Sequence, residues 1–331
     1  MPVIETRSLT KVYKRFVKKP GLKNSVLSLF HRETIEKEAI SRFDFTVEDG
    51  EFVGLIGENG AGKTTLIKML AGIIPPSSGD ISVLGYYPNK LENAFKRQYA
   101  VVMGQKSQLF MELTAADTLL LFKEMYDIPD VEYKQSIEYF VDLFDVSGLL
   151  DVQVRTLSLG ERMKMELIAA LLHGPRVLFL DEPTIGLDAV AQRQMREFLR
   201  LVNRDRGTTI LLTSHYMEDI KSLCPRCAVI SHGSKLYDGP LDTLLSRYQR
   251  EKRVSIRYLF PYSPALPDTV RITEQSPFRI DLLVPRDSVQ TLLAELIRQG
   301  EITDISIEEE DIGIVVERIY SAGGHICEKI Y

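Results

Sequence analysis

Gly57-Glu58-Asn59-Gly60-Ala61-Gly62-Lys63-Thr64, followed by Thr65, decides how this chain is read. The run fits G-x-x-x-x-G-K-[ST], a phosphate-binding loop. Its glycines let the backbone fold into a nest of N–H groups aimed at phosphate oxygens. A helix beginning near Lys63 adds the positive end of its dipole. In such a loop the Lys63 ammonium reaches the β- and γ-phosphates, and the Thr64 hydroxyl ligates Mg²⁺. The context agrees: the strand-like run Phe52-Val53-Gly54-Leu55-Ile56 precedes it, and a helical pattern from Thr64 to Ala71 follows. A glycine-rich turn without a ligand is the weaker reading.

Two further runs, Val177-Leu178-Phe179-Leu180 and Thr209-Ile210-Leu211-Leu212, are apolar without alternation. Strands of this kind belong to a parallel sheet covered on both faces. Helical patterns such as Ala189 to Asn203 separate them, so residues 1–240 are expected to form one α/β domain. After Asp238-Gly239-Pro240 the pattern becomes strand-rich. Following a short helix at 241–250, strands are predicted at 253–260, 269–273, 278–284 and 302–308, with helices at 287–300 and 310–321. Residues 241–331 therefore read as a small α+β domain, with the ferredoxin-like type as its candidate. The length of 331 residues suits about two domains.

Residues 17–38 stand apart. Lys18-Lys19-Pro20-Gly21 opens a basic loop, and Val26, Leu27, Leu29 and Phe30 suit one face of a short helix. The segment reads as a surface excursion between two strands, with a docking element as the alternative.

Composition narrows the classes. With 41 basic and 46 acidic residues the formal net charge is −5, which argues against general nucleic-acid binding. No apolar stretch approaches the roughly 18 residues that span a bilayer. The start Met1-Pro2-Val3-Ile4-Glu5 lacks the pattern of a secretory signal, and three cysteines make no disulfide framework. The expectation is a soluble, cytosolic protein that meets a membrane only through a partner.

The apolar run at 177–180 ends in Asp181-Glu182. Beside a phosphate loop, Asp181 would hold Mg²⁺ and Glu182 would orient and polarise the attacking water, since phosphoryl transfer depends on positioning and charge neutralisation. Ser158 and Glu161, in Leu157-Ser158-Leu159-Gly160-Glu161, stand at capping-box spacing before an apolar-periodic helix running to about His173. A helix start with a hydroxyl cap and a close-approach glycine also suits an anion.

A phosphate loop, then Ser158-Leu159-Gly160-Glu161, then Asp181-Glu182-Pro183-Thr184-Ile185-Gly186-Leu187-Asp188, resembles the ATPase subunit of an ATP-binding cassette (ABC) transporter. The resemblance covers about residues 3–240 and is strongest to bacterial drug- and viologen-exporter-type subunits whose membrane subunits are separate polypeptides. It implies an α/β P-loop NTPase fold with a helical subdomain at about 106–172, ATP and Mg²⁺ as ligands, and ATP hydrolysis coupled to transport. It further implies that Gln105 is the Q-loop glutamine touching Mg²⁺ and the attacking water, and that His215 is the switch histidine at the γ-phosphate. Tyr13 would stack on adenine, with Phe16 as its rival. In a head-to-tail homodimer at the cytoplasmic face of the cell membrane, Ser158 and Gly160 would complete the partner's nucleotide site, and Asp188 would cross the interface. Leu159 and Glu161 depart from the commonest signature, Leu-Ser-Gly-Gly-Gln. The region from Lys106 to Thr114, with Leu109, Phe110, Met111 and Leu113, would meet the membrane subunits or pack within the helical subdomain.

Rival readings are an importer ATPase with a C-terminal regulatory domain, and a soluble ABC ATPase. The second is disfavoured by the lack of coiled-coil or zinc insertions, the single phosphate loop and the acidic charge. Cys224-Pro225-Arg226-Cys227 reads as coincidence, since a zinc site needs a second ligand pair.

Overall fold

Every residue of the strand Thr209–Thr213 is buried, as are the first five of Phe52–Gly57 and the first four of Val177–Asp181. These are the unalternating apolar runs, and they lie side by side in one sheet. The computed structural model describes residues 2–17, 33–104, 106–214, 216–299, 301–310 and 312–321. The chain divides into two units, Met1–Gly239 and Pro240–Tyr331.

In chain order the strands of the first unit are β1 (Pro2–Val17), β2 (Glu33–Glu48), β3 (Phe52–Gly57), β4 (Ser78–Val83), β5 (Tyr99–Met103), β6 (Val177–Asp181), β7 (Thr209–Thr213), β8 (Arg226–Ser231) and β9 (Ser234–Pro240). Its helices of more than one turn are α1 (Lys63–Leu70), α2 (Ala115–Tyr126), α3 (Asp130–Phe144), α4 (Leu159–Leu171), α5 (Ala189–Arg206) and α6 (Met217–Leu223). A six-stranded sheet runs β5-β6-β7-β3-β8-β9, and its β5, β6, β7, β3 and β8 are mutually parallel. A three-stranded antiparallel sheet runs β2-β1-β4. Leu66, Ile67, Met69 and Leu70 of α1 share one core with Phe43, Phe45 and Val83 of the small sheet and with Leu55, Phe179 and Leu211 of the large one. Burial of the apolar face of α1 against both sheets fixes where the phosphate loop points.

Residues 33–38, read from sequence as part of an excursion, extend β2 and pair with residues 12–17 of β1. The expected helix at 26–30 lies outside the described residues.

His173, just after α4, stacks on Tyr126 with ring centroids 4.0 Å apart, and its Nε2 lies 3.2 Å from the Tyr99 carbonyl oxygen, which accepts. Burial pushes its pKa down to about 4 from 6.5. The unfolded chain therefore takes up this proton more readily than the folded one. Stability from this group is complete above pH 6.5 and falls as pH drops toward 4, by up to about 3 kcal/mol. His173→Phe should keep the stack and flatten that part of the slope. Urea unfolding of both proteins between about pH 7 and about pH 5 measures the difference.

In the second unit β10 (Glu251–Tyr258), β11 (Arg271–Ser276), β12 (Arg279–Pro285) and β13 (Ile302–Glu309) form an antiparallel sheet in the order β11-β12-β10-β13. Helices α7 (Leu241–Tyr248), α8 (Val289–Gln299) and α9 (Ile312–Ser321) accompany it. Val254, Ile256, Leu282 and Val284 share a core with Leu292 and Leu296 of α8. A ferredoxin-like unit of βαββαβ type would carry a helix between its first two strands. Residues 259–270 are loop instead.

Candidate nucleotide site

β3 delivers the chain to Gly57 and α1 leaves from Lys63. Gly62, the N-cap of α1, has φ +116° and supplies no side-chain cap. A Cβ there would come within 2.4 Å of the Ala39 carbonyl oxygen, so only glycine fits. With no capping side chain, the first-turn N–H groups stay available to an anion. Lys63 is 5% exposed, and its Nζ donates to the carbonyl oxygens of Gly57 at 2.6 Å and Glu58 at 3.2 Å. Burial lowers its pKa, against the raising influence of Glu182 and Asp181.

A cavity of about 400 Å³ opens over this loop. It brings together Tyr13, Asn59, Gly60, Gly62, Lys63, Thr64, Thr65 and Glu182, all singled out in the sequence. Gly57 and Ala61 lie behind the lining; the Ala61 N–H donates to Glu58. Lys37 joins the lining as the cross-strand neighbour of Tyr13. The Lys11 Nζ sits 5.4 Å from the Tyr13 ring centroid. The side chain of Phe16 lies outside the described residues.

Asp181 ends β6 beside the loop. Its carboxylate accepts from Thr64 Oγ1, at 2.8 Å to the nearer oxygen, and from Thr213 Oγ1 at 2.7 Å. A hydroxyl and a carboxylate converging in this way fit Mg²⁺, which is held by one or two carboxylates and completed by waters and phosphate oxygens. Glu182, the next residue, has φ +57°, and its N–H donates to the Thr213 carbonyl oxygen at 3.0 Å. A left-handed φ is uncommon outside glycine; here it aims Glu182 into the cavity.

Gln105 and His215 lie outside the described residues, but their flanks do not. Met103 of β5 pairs with Asp181, and Asp181 pairs with Thr213 of β7, so β5 and β7 flank β6 at the level of Asp181. Gly104 donates its N–H to the Asp181 carbonyl oxygen at 2.9 Å. A Cβ on Gly104 would lie 2.1 Å from the Glu182 carbonyl oxygen.

Ser158 and Glu161 form the expected capping box. Ser158 Oγ accepts from the Glu161 N–H at 3.3 Å, and Glu161 Oε2 accepts from the Ser158 N–H at 2.8 Å. The bonds from Ser158 hold the Glu161 carboxyl below its usual range. Asp188 caps α5, accepting from the Ala191 N–H at 2.8 Å. Ser158, Gly160, Gly186 and Asp188 line a second cavity of about 340 Å³, and none of them lines the first.

A family profile described as ABC transporter matches residues 40–185. Over 223 residues the chain is 35% identical to the ABC transporter ATP-binding protein NatA of Bacillus subtilis (strain 168), covering 67% of this chain and 89% of that protein. This chain belongs to the ABC transporter family. It is 34% identical to the linearmycin resistance ATP-binding protein LnrL of the same organism, over 64% of this chain and 68% of that protein. To the Nod factor export ATP-binding protein I of Sinorhizobium fredii (strain NBRC 101917 / NGR234) it is 38% identical, over 62% of this chain and 59% of that protein. Among solved structures, an ATP-binding subunit of an ABC transporter superposes with a TM-score of 0.62 at 26% identity, covering 74% of this chain and 93% of that one. An ATP-binding cassette dimer bound to ADP and Pi in a post-hydrolysis state shares the fold, with a TM-score of 0.58 at 20% identity over 72% of this chain and 98% of that one. As an ABC transporter ATP-binding subunit the chain is an ATPase, and the phosphate loop and Asp181-Glu182 belong to the fold that carries that activity.

Several residues in this ABC cassette were not legible in advance. Thr213 and Gly104 act through strand neighbours distant in sequence. Glu166 of α4, 4% exposed, accepts from Ser107 Oγ and from the Gln108 N–H at 3.1 Å, and burial raises its pKa. An acid among Met163, Met165, Leu167 and Ile168 was the available signal. Cys224 and Cys227 are both buried and unbonded, and burial pushes the Cys227 thiol up to about 12.

Proposed function

We propose that this ATPase powers export through separate membrane subunits as a head-to-tail dimer holding two ATP molecules. The observation that carries the reading is the division of the motifs between two cavities. Lys63, Thr64 and Glu182 line one, with Asp181 bonded to Thr64 beside it; Ser158, Gly160 and Asp188 line the other. A second copy would bring the second set to the first.

In the ATP site the loop N–H groups and Lys63 bind the phosphate chain, and Tyr13 stacks on the base. Thr64, Asp181 and Gln105 would hold Mg²⁺, which when bound neutralises charge on the β- and γ-phosphates. Glu182 accepts a proton from water as its oxygen bonds to the γ-phosphorus, and the bond to the ADP oxygen breaks. Loss of γ-phosphate contacts at His215 and Gln105 then releases the dimer, a ligand-driven population shift.

Export is favoured over import by what the relatives' names say of them, Nod factor export and linearmycin resistance. Residues of the 106–114 region divide: Leu109 is 6% exposed, whereas Phe110 is 44% exposed. Phe110 is therefore the residue proposed to meet a cytoplasmic helix of the membrane subunit. Phe110→Ala is expected to uncouple transport while basal ATPase activity stays within about twofold. Transport and hydrolysis assayed together in inside-out vesicles carrying the membrane subunits test both points. ATP-driven accumulation inside such vesicles supports export, and its absence with active hydrolysis opposes it. Equal loss of both activities in Phe110→Ala rejects the docking role.

A further inference from the structure

One buried carboxylate ties together the segments on either side of the catalytic chemistry. Asp219 of α6 is 0% exposed. Its Oδ2 accepts from Thr184 Oγ1 at 2.5 Å and from Ser214 Oγ at 2.7 Å, and its Oδ1 accepts from Arg196 Nη1 at 2.9 Å. Each donor comes from a different part of the chain. Thr184 stands just beyond Glu182, in the loop leaving β6. Ser214 immediately precedes position 215, and its Oγ also accepts from the Tyr216 N–H at 3.0 Å. Arg196 belongs to α5, the helix capped by Asp188. Thr184 and Ser214 are both 2% exposed, so water cannot stand in for a lost partner.

We propose that Asp219 is a positioning residue for hydrolysis. It is fully buried and does not line the nucleotide cavity, but holds the Glu182 loop and the segment at Ser214 at a fixed spacing. Through Arg196 it passes a shift of the switch segment to α5 and hence to Asp188. The two hydroxyls share one carboxylate oxygen, so a displacement of Ser214 is felt at Thr184 directly. The geometry suits a reaction in which a small misplacement of the base is costly. This inference rests on Glu182 as the base.

Removing the carboxylate would strand the partly buried Arg196, so the decisive variants leave the Asp219–Arg196 pair intact. Thr184→Val and Ser214→Ala each delete one donor. In the full-length chain each is expected to lower the kcat of ATP hydrolysis about 10- to 100-fold, with KM for ATP nearly unchanged and the melting temperature lowered by only a few degrees for the lost bond to the carboxylate. Thr184→Ser restores the hydroxyl and is expected to restore turnover. The double variant should lose less than the product of the single losses, because both act through Asp219. Unchanged kcat in the single variants below their melting temperature, KM changing in step with kcat, failure of Thr184→Ser to rescue, or a multiplicative double variant would each overturn the proposal. Glu182→Gln run in parallel separates the two readings: normal turnover there removes the base assignment itself, whatever the Thr184 and Ser214 variants do.

Discussion

Glu182→Gln is expected to bind ATP as the wild type does and hydrolyse it about 10²- to 10⁴-fold more slowly, the range lost with a general base. The amide matches the carboxylate in size and stands on the same left-handed backbone, so the cavity keeps its shape. What it cannot do is take the proton of the attacking water. If the chain works as a head-to-tail pair, ATP then holds the pair closed with no route to opening. Light scattering with and without Mg²⁺ and ATP should show a stable dimer in the variant and only a transient one in the wild type. Normal turnover in Glu182→Gln would remove Glu182 from the catalytic role.

Lys63→Ala is expected to fail one step earlier, at binding. The Lys63 ammonium is buried, and it already donates to the Gly57 and Glu58 carbonyl oxygens. Bound phosphate would offer it far better acceptors. Each charge-assisted hydrogen bond is worth about 1.5–3 kcal/mol, so losing two weakens ATP binding about 100-fold or more. Calorimetric titration measures this, and no ATP-dependent dimer should form. An unchanged affinity would show that the loop amides alone carry the phosphates.

These contrasting outcomes come from motifs that were legible because they are local. The phosphate loop, the apolar run into Asp181-Glu182 and the Ser158–Glu161 box each fit within a few residues, and each folds as its spacing implies. The support around them was not legible. Met103, Asp181 and Thr213 become neighbours only through the order β5-β6-β7, which no spacing along the chain encodes. The same holds for Asp219, an ordinary acid in Met217–Leu223 until Thr184, Ser214 and Arg196 are folded against it. Residues 33–38 were read as insertion because they carry no apolar alternation: Ile35 is their one apolar residue, and 35–38 are all exposed. In the second unit, strand positions followed from period-two patterning to within a few residues. The missing helix between β10 and β11 has a plain cause: Pro261, Pro264 and Pro267 recur at every third position, which no helix interior tolerates.

The cap on α4 has a consequence of its own. Ser158 Oγ accepts from the Glu161 N–H, and hydrogen bonds from Ser158 also stabilise the Glu161 carboxylate. A hydroxyl that already accepts is polarised and donates more strongly. The box therefore holds the serine in place at the lining of the second cavity. For the helix alone Asp or Asn would cap as well as Ser. A carboxylate there, however, would set negative charge against the neighbouring chain's γ-phosphate. In the proposed pair, this side chain is selected by a reaction taking place on the other molecule, and its own helix only keeps it ready.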